Sequence, residues 1–167
     1  MTKGDDLLVK NGTVTVKFLD RISYDNKEFG DTYSERAKII GRYFREAYMQ
    51  MRWQLENTKY YRNQLIKNYI YKGPVLEWYL KVKLRMENNY ELFNSIIPRS
   101  GKIYDIGCGY GYLSYLLHFV SDERIVTGID YDSEKINVAN NCPSKNEKVN
   151  FVCDDITKYA FEPADVF

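Results

Sequence analysis

Ile103-Tyr104-Asp105-Ile106-Gly107-Cys108-Gly109-Tyr110-Gly111-Tyr112-Leu113 is the stretch that decides the fold of this chain. Its first four residues read as a short buried strand. Three glycines follow at alternate positions, and an apolar helical pattern begins directly after them. Glycine allows a sharp backbone turn and lets a ligand approach the main chain. A helix that starts at such a turn presents free N–H groups and the positive end of its dipole. In an open α/β sheet this is the place for a nucleotide-like ligand, outside the carboxyl end of the first strand.

The spacing narrows the ligand. A dinucleotide fingerprint is G-x-G-x-x-G. Counted from Gly107 its third glycine falls on Tyr112, and counted from Gly109 on Ser114. A phosphate-binding loop, G-x-x-x-x-G-K-[ST], fails at the same place, because Tyr112 stands where its second glycine belongs and no lysine follows.

The pattern continues downstream. Residues 124–129 and 149–153 read as further strands, and 112–120 and 133–140 as helices; 164–167 has the look of a fourth strand beginning. Strands alternating with helices at this spacing make βαβ units and a parallel sheet. The second strand ends in Asp130 and the third runs into Asp154-Asp155-Ile156. An acid at the end of the second strand can accept both ribose hydroxyls of an adenosine; it can also cap the next helix, a task for which Asp132 and Ser133 are better placed. Asp154 and Asp155 also read as solvated turn residues.

The D-x-G-x-G-x-G pattern with acids at successive strand ends resembles the class I S-adenosylmethionine (SAM)-dependent methyltransferases over residues 71–167. The resemblance implies a Rossmann-like three-layer α/β sheet, cut short at its fourth strand, and SAM as cofactor. It implies that Gly107, Cys108, Gly109, Tyr110 and Gly111 wrap the methionine part of SAM, with Asp105 holding its amino group. It implies Asp130 on the ribose with Tyr131 beside it, and Asp155 and Ile156 at the adenine. Asp154 departs from the family's usual glycine. Cys108 also reads as a small packing residue in the turn, and Tyr110 as either a ligand cover or a helix contact. The acceptor-binding part of the family lies largely outside this sequence, so no catalytic residue is named. The acceptor is expected to be a small molecule or a lipid.

Before residue 100 the character is different. Residues 13–18 (TVTVKF) alternate like a strand. Helical patterns follow from about 32, from 57 to 69 and from 74 to 96, broken at Gly73-Pro74. The division expected is a mostly helical extension over 1–70 and the cofactor domain over 71–167. The net charge of +1 conceals an asymmetry. Residues 1–100 hold eighteen Lys and Arg against twelve Asp and Glu, and residues 101–167 hold six against eleven. An acidic second half suits a cationic ligand such as SAM better than a phosphate.

Residues 34–72 carry nine basic residues against three acidic ones, interleaved with aromatics. Such helices pack on their own protein, lie on anionic membrane surfaces, or bind nucleic acid; nucleic acid is the least expected partner here. No apolar run reaches the roughly 18–20 residues of a membrane span. Three cysteines without a C-x-x-C pair, and a single histidine, form neither a disulfide framework nor a zinc site. The setting expected is cytoplasmic, membrane-peripheral if the basic helices dock.

Residues 1–52 resemble the tail of a glycerol-3-phosphate or lysophospholipid acyltransferase domain, including Gly30, Tyr33 and Arg36 as G-x-x-Y-x-x-R. That family's catalytic histidine and aspartate have no counterpart here. The resemblance implies a fusion of the two enzymes, with this chain a fragment spanning the junction. It leaves an alternative function, a membrane-docking module of an acyltransferase without methyltransferase activity of its own.

Overall fold

A computed structural model describes residues 14–87 and 89–167. The helices are α1 (Tyr33–Leu55), α2 (Arg62–Tyr69), α3 (Pro74–Met86), α4 (Asn89–Ile96), α5 (Tyr112–Val120) and α6 (Ser133–Asn140). The strands are β1 (Gly101–Ile106), β2 (Arg124–Asp130) and β3 (Val149–Cys153). The chain divides into two compact units, one ending at Arg52 and one beginning at Trp53.

In the first unit α1 opens with a capping box. The Thr32 hydroxyl oxygen accepts from the Glu35 amide at 3.3 Å, and the Glu35 carboxylate accepts from the Thr32 amide at 3.2 Å. Arg36 then gathers the preceding loop by donating to the carbonyls of Tyr24 and Asn26. The strand expected over 13–18 is not found. Thr13 lies outside the described residues, and 14–18 have no strand partner among the described residues. An alternating sequence becomes a strand only where a second edge takes up its N–H and C=O groups. Without one, Val14, Val16 and Phe18 stand exposed.

In the second unit the three strands form one parallel sheet in the order β1-β2-β3, with Asp105 beside Gly128 and Asp130 beside Cys153. On the free edge of β1, Val166 makes a parallel bridge to Ile103, and the Asp165 amide donates to Lys102 O at 2.9 Å. The chain order across the sheet is therefore 166, β1, β2, β3, the Rossmann-like arrangement expected. Leu65, Tyr69, Leu80, Tyr115, Leu116 and Phe151 form the main core between helices and sheet, all at most 4% exposed. At roughly 1.5–3 kcal/mol for each large apolar side chain, this layer holds α2, α3 and α5 on the sheet. Tyr104 packs among Tyr159, Phe161 and Phe167, which brings the end of the chain across β1.

Two expected helices change shape. The one read from 57 begins at Arg62, because the Asn57 side chain accepts from the amides of Lys59 and Tyr60 and holds a turn instead. Thr58, buried in that turn, donates its hydroxyl to Glu91 at 2.5 Å. The helix read over 74–96 is two helices. Glu87 is extended (φ −93°, ψ 115°), just before the helix-poor pair Asn88-Asn89 in the sequence. The break lets α4 turn its Tyr90 inward.

Arg124, fully buried, is the cross-brace of this unit. Its guanidinium donates to Pro98 O (2.8 Å), Ile97 O (2.9 Å), Leu117 O (3.0 Å) and Asn94 Oδ1 (2.8 Å). It thus satisfies carbonyls at and just beyond the C-terminal ends of α4 and α5, where a cation is favoured. Burial, with Arg99 nearby, lowers its pKa to about 10, so it stays charged at neutral pH. Removing it strands several carbonyls, and we expect Arg124→Met to cost about 2–3 kcal/mol in urea unfolding.

His118, also buried, lies between Arg124 O (3.3 Å from Nδ1) and the Asn146 amide (2.9 Å from Nε2). A neutral ring that donates from Nδ1 and accepts at Nε2 satisfies both. Burial lowers its pKa below 6.5, against the opposing pull of Arg124 O and Asp122. The unfolded chain therefore binds the proton first. Stability from this group is complete above 6.5 and is lost as the pH falls toward the folded-state value. Denaturation between about pH 7.5 and 5.5 should show a smaller acid loss in His118→Gln than in wild type.

Candidate functional site

The three parallel strands end on one edge, and the loop after β1 is fastened there by its own amides. Gly107 and Cys108 both donate to Ile129 O, at 2.8 and 3.1 Å. Gly109 donates to Asp130 Oδ2 at 2.8 Å, and Gly111 to Cys108 O at 2.8 Å. A phosphate-binding loop aims such amides at its ligand. Here these four are engaged within the protein.

The glycines do different work. Gly107 (φ +73°) has no neighbouring atom within 4 Å of where a Cβ would stand, so its open face is available to a ligand. At Gly111 (φ +76°) a Cβ would come within 2.3 Å of the buried Phe151 ring, so this glycine is required by packing. Gly128 on β2 is equally confined, by Phe151 and the Cys108 sulfur. Burial and the charges of Asp105 and Asp130 push the Cys108 thiol well up, so it sits as a protonated packing group.

A cleft of about 330 Å³ opens over this loop. Asp105, Gly107, Cys108, Gly109, Tyr110 and Asp130 line it together. Asp130 is buried and rigidly held: besides Gly109 it accepts from the Asp132 amide on Oδ1 at 2.9 Å. The capping of α6 falls to Asp132, whose Oδ1 accepts from Glu134 and Lys135. Asp105 is fixed by the hydroxyl of fully buried Ser114 at 2.5 Å. Burial raises the Asp105 pKa; the Ser114 bond opposes the rise and the Asp130 charge adds to it. Among the described residues neither aspartate forms an ion pair, and Lys135, at the rim, is paired with Asp132 at 2.9 Å.

The remaining expected residues lie elsewhere. Gly111 is the left-handed N-cap of α5. Tyr131 is 82% exposed. Asp155 and Ile156 are exposed in the turn after β3, one strand beyond Asp130 and outside the cleft lining. Asp155 holds that turn by accepting from the Thr157 amide (3.0 Å) and hydroxyl (2.8 Å), which lowers its pKa.

The far wall of the cleft was not anticipated from the sequence. Tyr79, Lys83 and Glu87, at steps of four from α3 to its cap, and Tyr90 and Phe93 of α4 face the glycine loop, with Tyr112 beside them. The four-residue spacing was the available signal, but it read as an ordinary helix stripe. A larger groove of about 800 Å³ shares Tyr79, Tyr110 and Lys135 with the cleft and adds Val75 and Trp78.

Residues 103–167 match the family model described as "Methyltransferase domain". No curated protein matches the chain. Among solved structures it is similar to the plantazolicin methyltransferase BpumL, crystallised with S-adenosylhomocysteine (SAH) and a monoazolic desmethylPZN analog. The identity there is 23% and the TM-score 0.37, over 62% of this chain and 46% of that one. A second structure of BpumL, with SAH, gives 21% and 0.35 over 67% and 45%. The chain thus spans less than half the length of these structures. The matches lend no support to the acyltransferase likeness of the first fifty residues. Residues 103–167, less than half of the chain, are thus similar to a methyltransferase domain.

Proposed function

We propose that this chain binds SAM in the cleft over the glycine loop and serves methyl transfer to a small-molecule or lipid acceptor. The observation that carries the reading is the pairing of two carboxylates, Asp105 and Asp130, free of ion pairs among the described residues, over a loop in which the amides of Gly107, Cys108, Gly109 and Gly111 are already bonded within the protein. SAM fits this donor set because it carries an ammonium, a sulfonium and a ribose but no phosphate. Asp105 takes the ammonium, and Asp130 accepts from the ribose hydroxyls through lone pairs that Gly109 and Asp132 leave free. The open face of Gly107, with Cys108, Gly109, Tyr110 and Gly111, gives the methionine part its main-chain contact. Tyr131, Asp155 and Ile156 border the adenosine at the neighbouring strand ends. The aromatic wall favours an onium centre, since ring faces attract cations.

When bound, SAM supplies an electrophilic methyl group on its sulfonium. The chain's own contribution is to hold that group still and to exclude water from one side of it. The groove beside Trp78 is space for an acceptor.

Calorimetry tests the binding. SAM should give a saturable heat that SAH competes away, and Asp130→Asn should weaken it at least about tenfold, the value of a charge-assisted hydrogen bond. Ionised Asp105 is the form that holds the ammonium, so affinity should fall on acidification, beginning above the ordinary carboxyl value of 3.8. A folded sample that gives no heat sinks the reading.

A second reading concerns α1. Tyr33, Ala37, Gly41, Phe44 and Tyr48 form an exposed stripe at helical steps, bordered by exposed Lys38, Arg42 and Arg45. This is the pattern of a helix lying on an anionic membrane face, with about 1 kcal/mol per basic residue at the surface. Co-sedimentation with phosphatidylserine vesicles should exceed that with neutral vesicles and decline in Arg42→Gln/Arg45→Gln. Equal pelleting with both vesicle types rejects it.

A further inference from the structure

The glycine loop is held from two sides. Its amides are bonded to the end of β2 and within the loop itself, and one of its carbonyls is held by a helix that precedes the sheet. The Tyr69 hydroxyl donates to Tyr110 O at 2.7 Å, across forty-one residues of chain. Tyr69 is the last residue of α2, is fully buried, and packs edge-on against the Tyr112 ring at 4.8 Å. Burial pushes its phenol well above the ordinary value of 10, so it remains a donor at working pH.

The peptide that joins Tyr110 to Gly111 is therefore fixed at both ends. Its oxygen accepts from Tyr69, and its N–H, on Gly111, donates to Cys108 O at 2.8 Å. Here the loop passes into α5, with Gly111 as its left-handed N-cap (φ +76°). Glycine adopts many backbone conformations, so the two bonds together select this one. The Tyr110 ring next to this peptide lines both the cleft and the larger groove. It stacks on Tyr112 at 5.6 Å and meets Tyr79 edge-on at 6.5 Å.

We propose that Tyr69 is a positioning residue for the cofactor: its hydroxyl fixes the Tyr110–Gly111 peptide and so holds the glycine loop and the Tyr110 ring in the arrangement that receives SAM. This rests on the reading that the cleft binds SAM. Tyr69 is buried behind the loop and acts through Tyr110. Without its bond the Tyr110 carbonyl is free to turn and the loop takes other paths. Apparent affinity then falls in proportion to the molecules that keep the competent one.

A matched bond supplies the control. Tyr115 is equally buried and donates to Ala139 O at the same 2.7 Å, but that acceptor belongs to α6 and Tyr115 does not line the cleft. Tyr69→Phe and Tyr115→Phe each keep the ring and strand one carbonyl, so both should lower the Tm. Only Tyr69→Phe should weaken SAH binding in calorimetry, by about fivefold, while Tyr115→Phe binds as wild type does. Hydrogen exchange gives a second measurement on the unaltered protein. Without ligand the Gly111 amide should be protected like that of Tyr115, the first bonded amide of α5, and should exchange faster in Tyr69→Phe. Unchanged SAH affinity in Tyr69→Phe, equal losses in the two variants, or a freely exchanging Gly111 amide in wild type would overturn the proposal and leave the cofactor reading intact. The exchange result decides even if Tyr69→Phe does not fold. Wild type that binds no SAH would overturn both.

Discussion

The fastening of the glycine loop to the end of β2 is the constraint on which the site depends. Two successive amides, from Gly107 and Cys108, converge on the carbonyl of Ile129, and the next glycine's amide reaches the carboxylate of Asp130. These bonds set the loop's path, and the path sets everything above it. It turns the open side of Gly107 outward, lays Gly111 against the Phe151 ring and starts α5 at Tyr112. It also settles the electrostatics. The amides of Gly107, Cys108, Gly109 and Gly111 are bonded inward, and the carboxylates of Asp105 and Asp130 border the cleft.

That arrangement has a cost in the empty protein. Asp105 is enclosed beside Asp130 with a serine hydroxyl as its partner, and burial raises its pKa. Tyr112 adds an unpaired hydroxyl. The surrounding structure bears the cost through features that have no contact with ligand: the Arg124 brace between α4, α5 and β2, and the aromatic and aliphatic layer from Leu65 to Phe151. The cost of burying polar groups at the site is thus offset by ordinary packing elsewhere.

The α/β part was legible in the sequence because its signals are local and agree with one another. Turn glycines, β-branched strands and acids at strand ends each predict the same element, and the helix at 133–140 and the strand at 149–153 fall where the pattern puts them. The clustering of Asp105, the loop and Asp130 follows from parallel topology alone. What the sequence hid depends on long-range partners. Residues 14–18 belong to a segment that alternates like a strand, but among the described residues they have no edge to join. The turn at Asn57 comes from a polar side chain competing with a helix, and Thr58 is committed to Glu91, thirty-three residues away. Tyr79, Lys83 and Tyr90 belong to the cleft only once α3 and α4 have packed beside the glycine loop. Asp155 was readable as a ligand group or a turn holder, and its bonds to Thr157 show it in the second role without a ligand present.

The most direct measurement of the central claim is an amide NMR titration of the ¹⁵N-labelled chain with SAH. The account predicts saturable shifts concentrated at Gly107, Gly109, Tyr112 and Asp130, with the remote Arg124 brace unmoved. Shifts scattered away from the mouths of β1 and β2, or none at all in a folded sample, would contradict it.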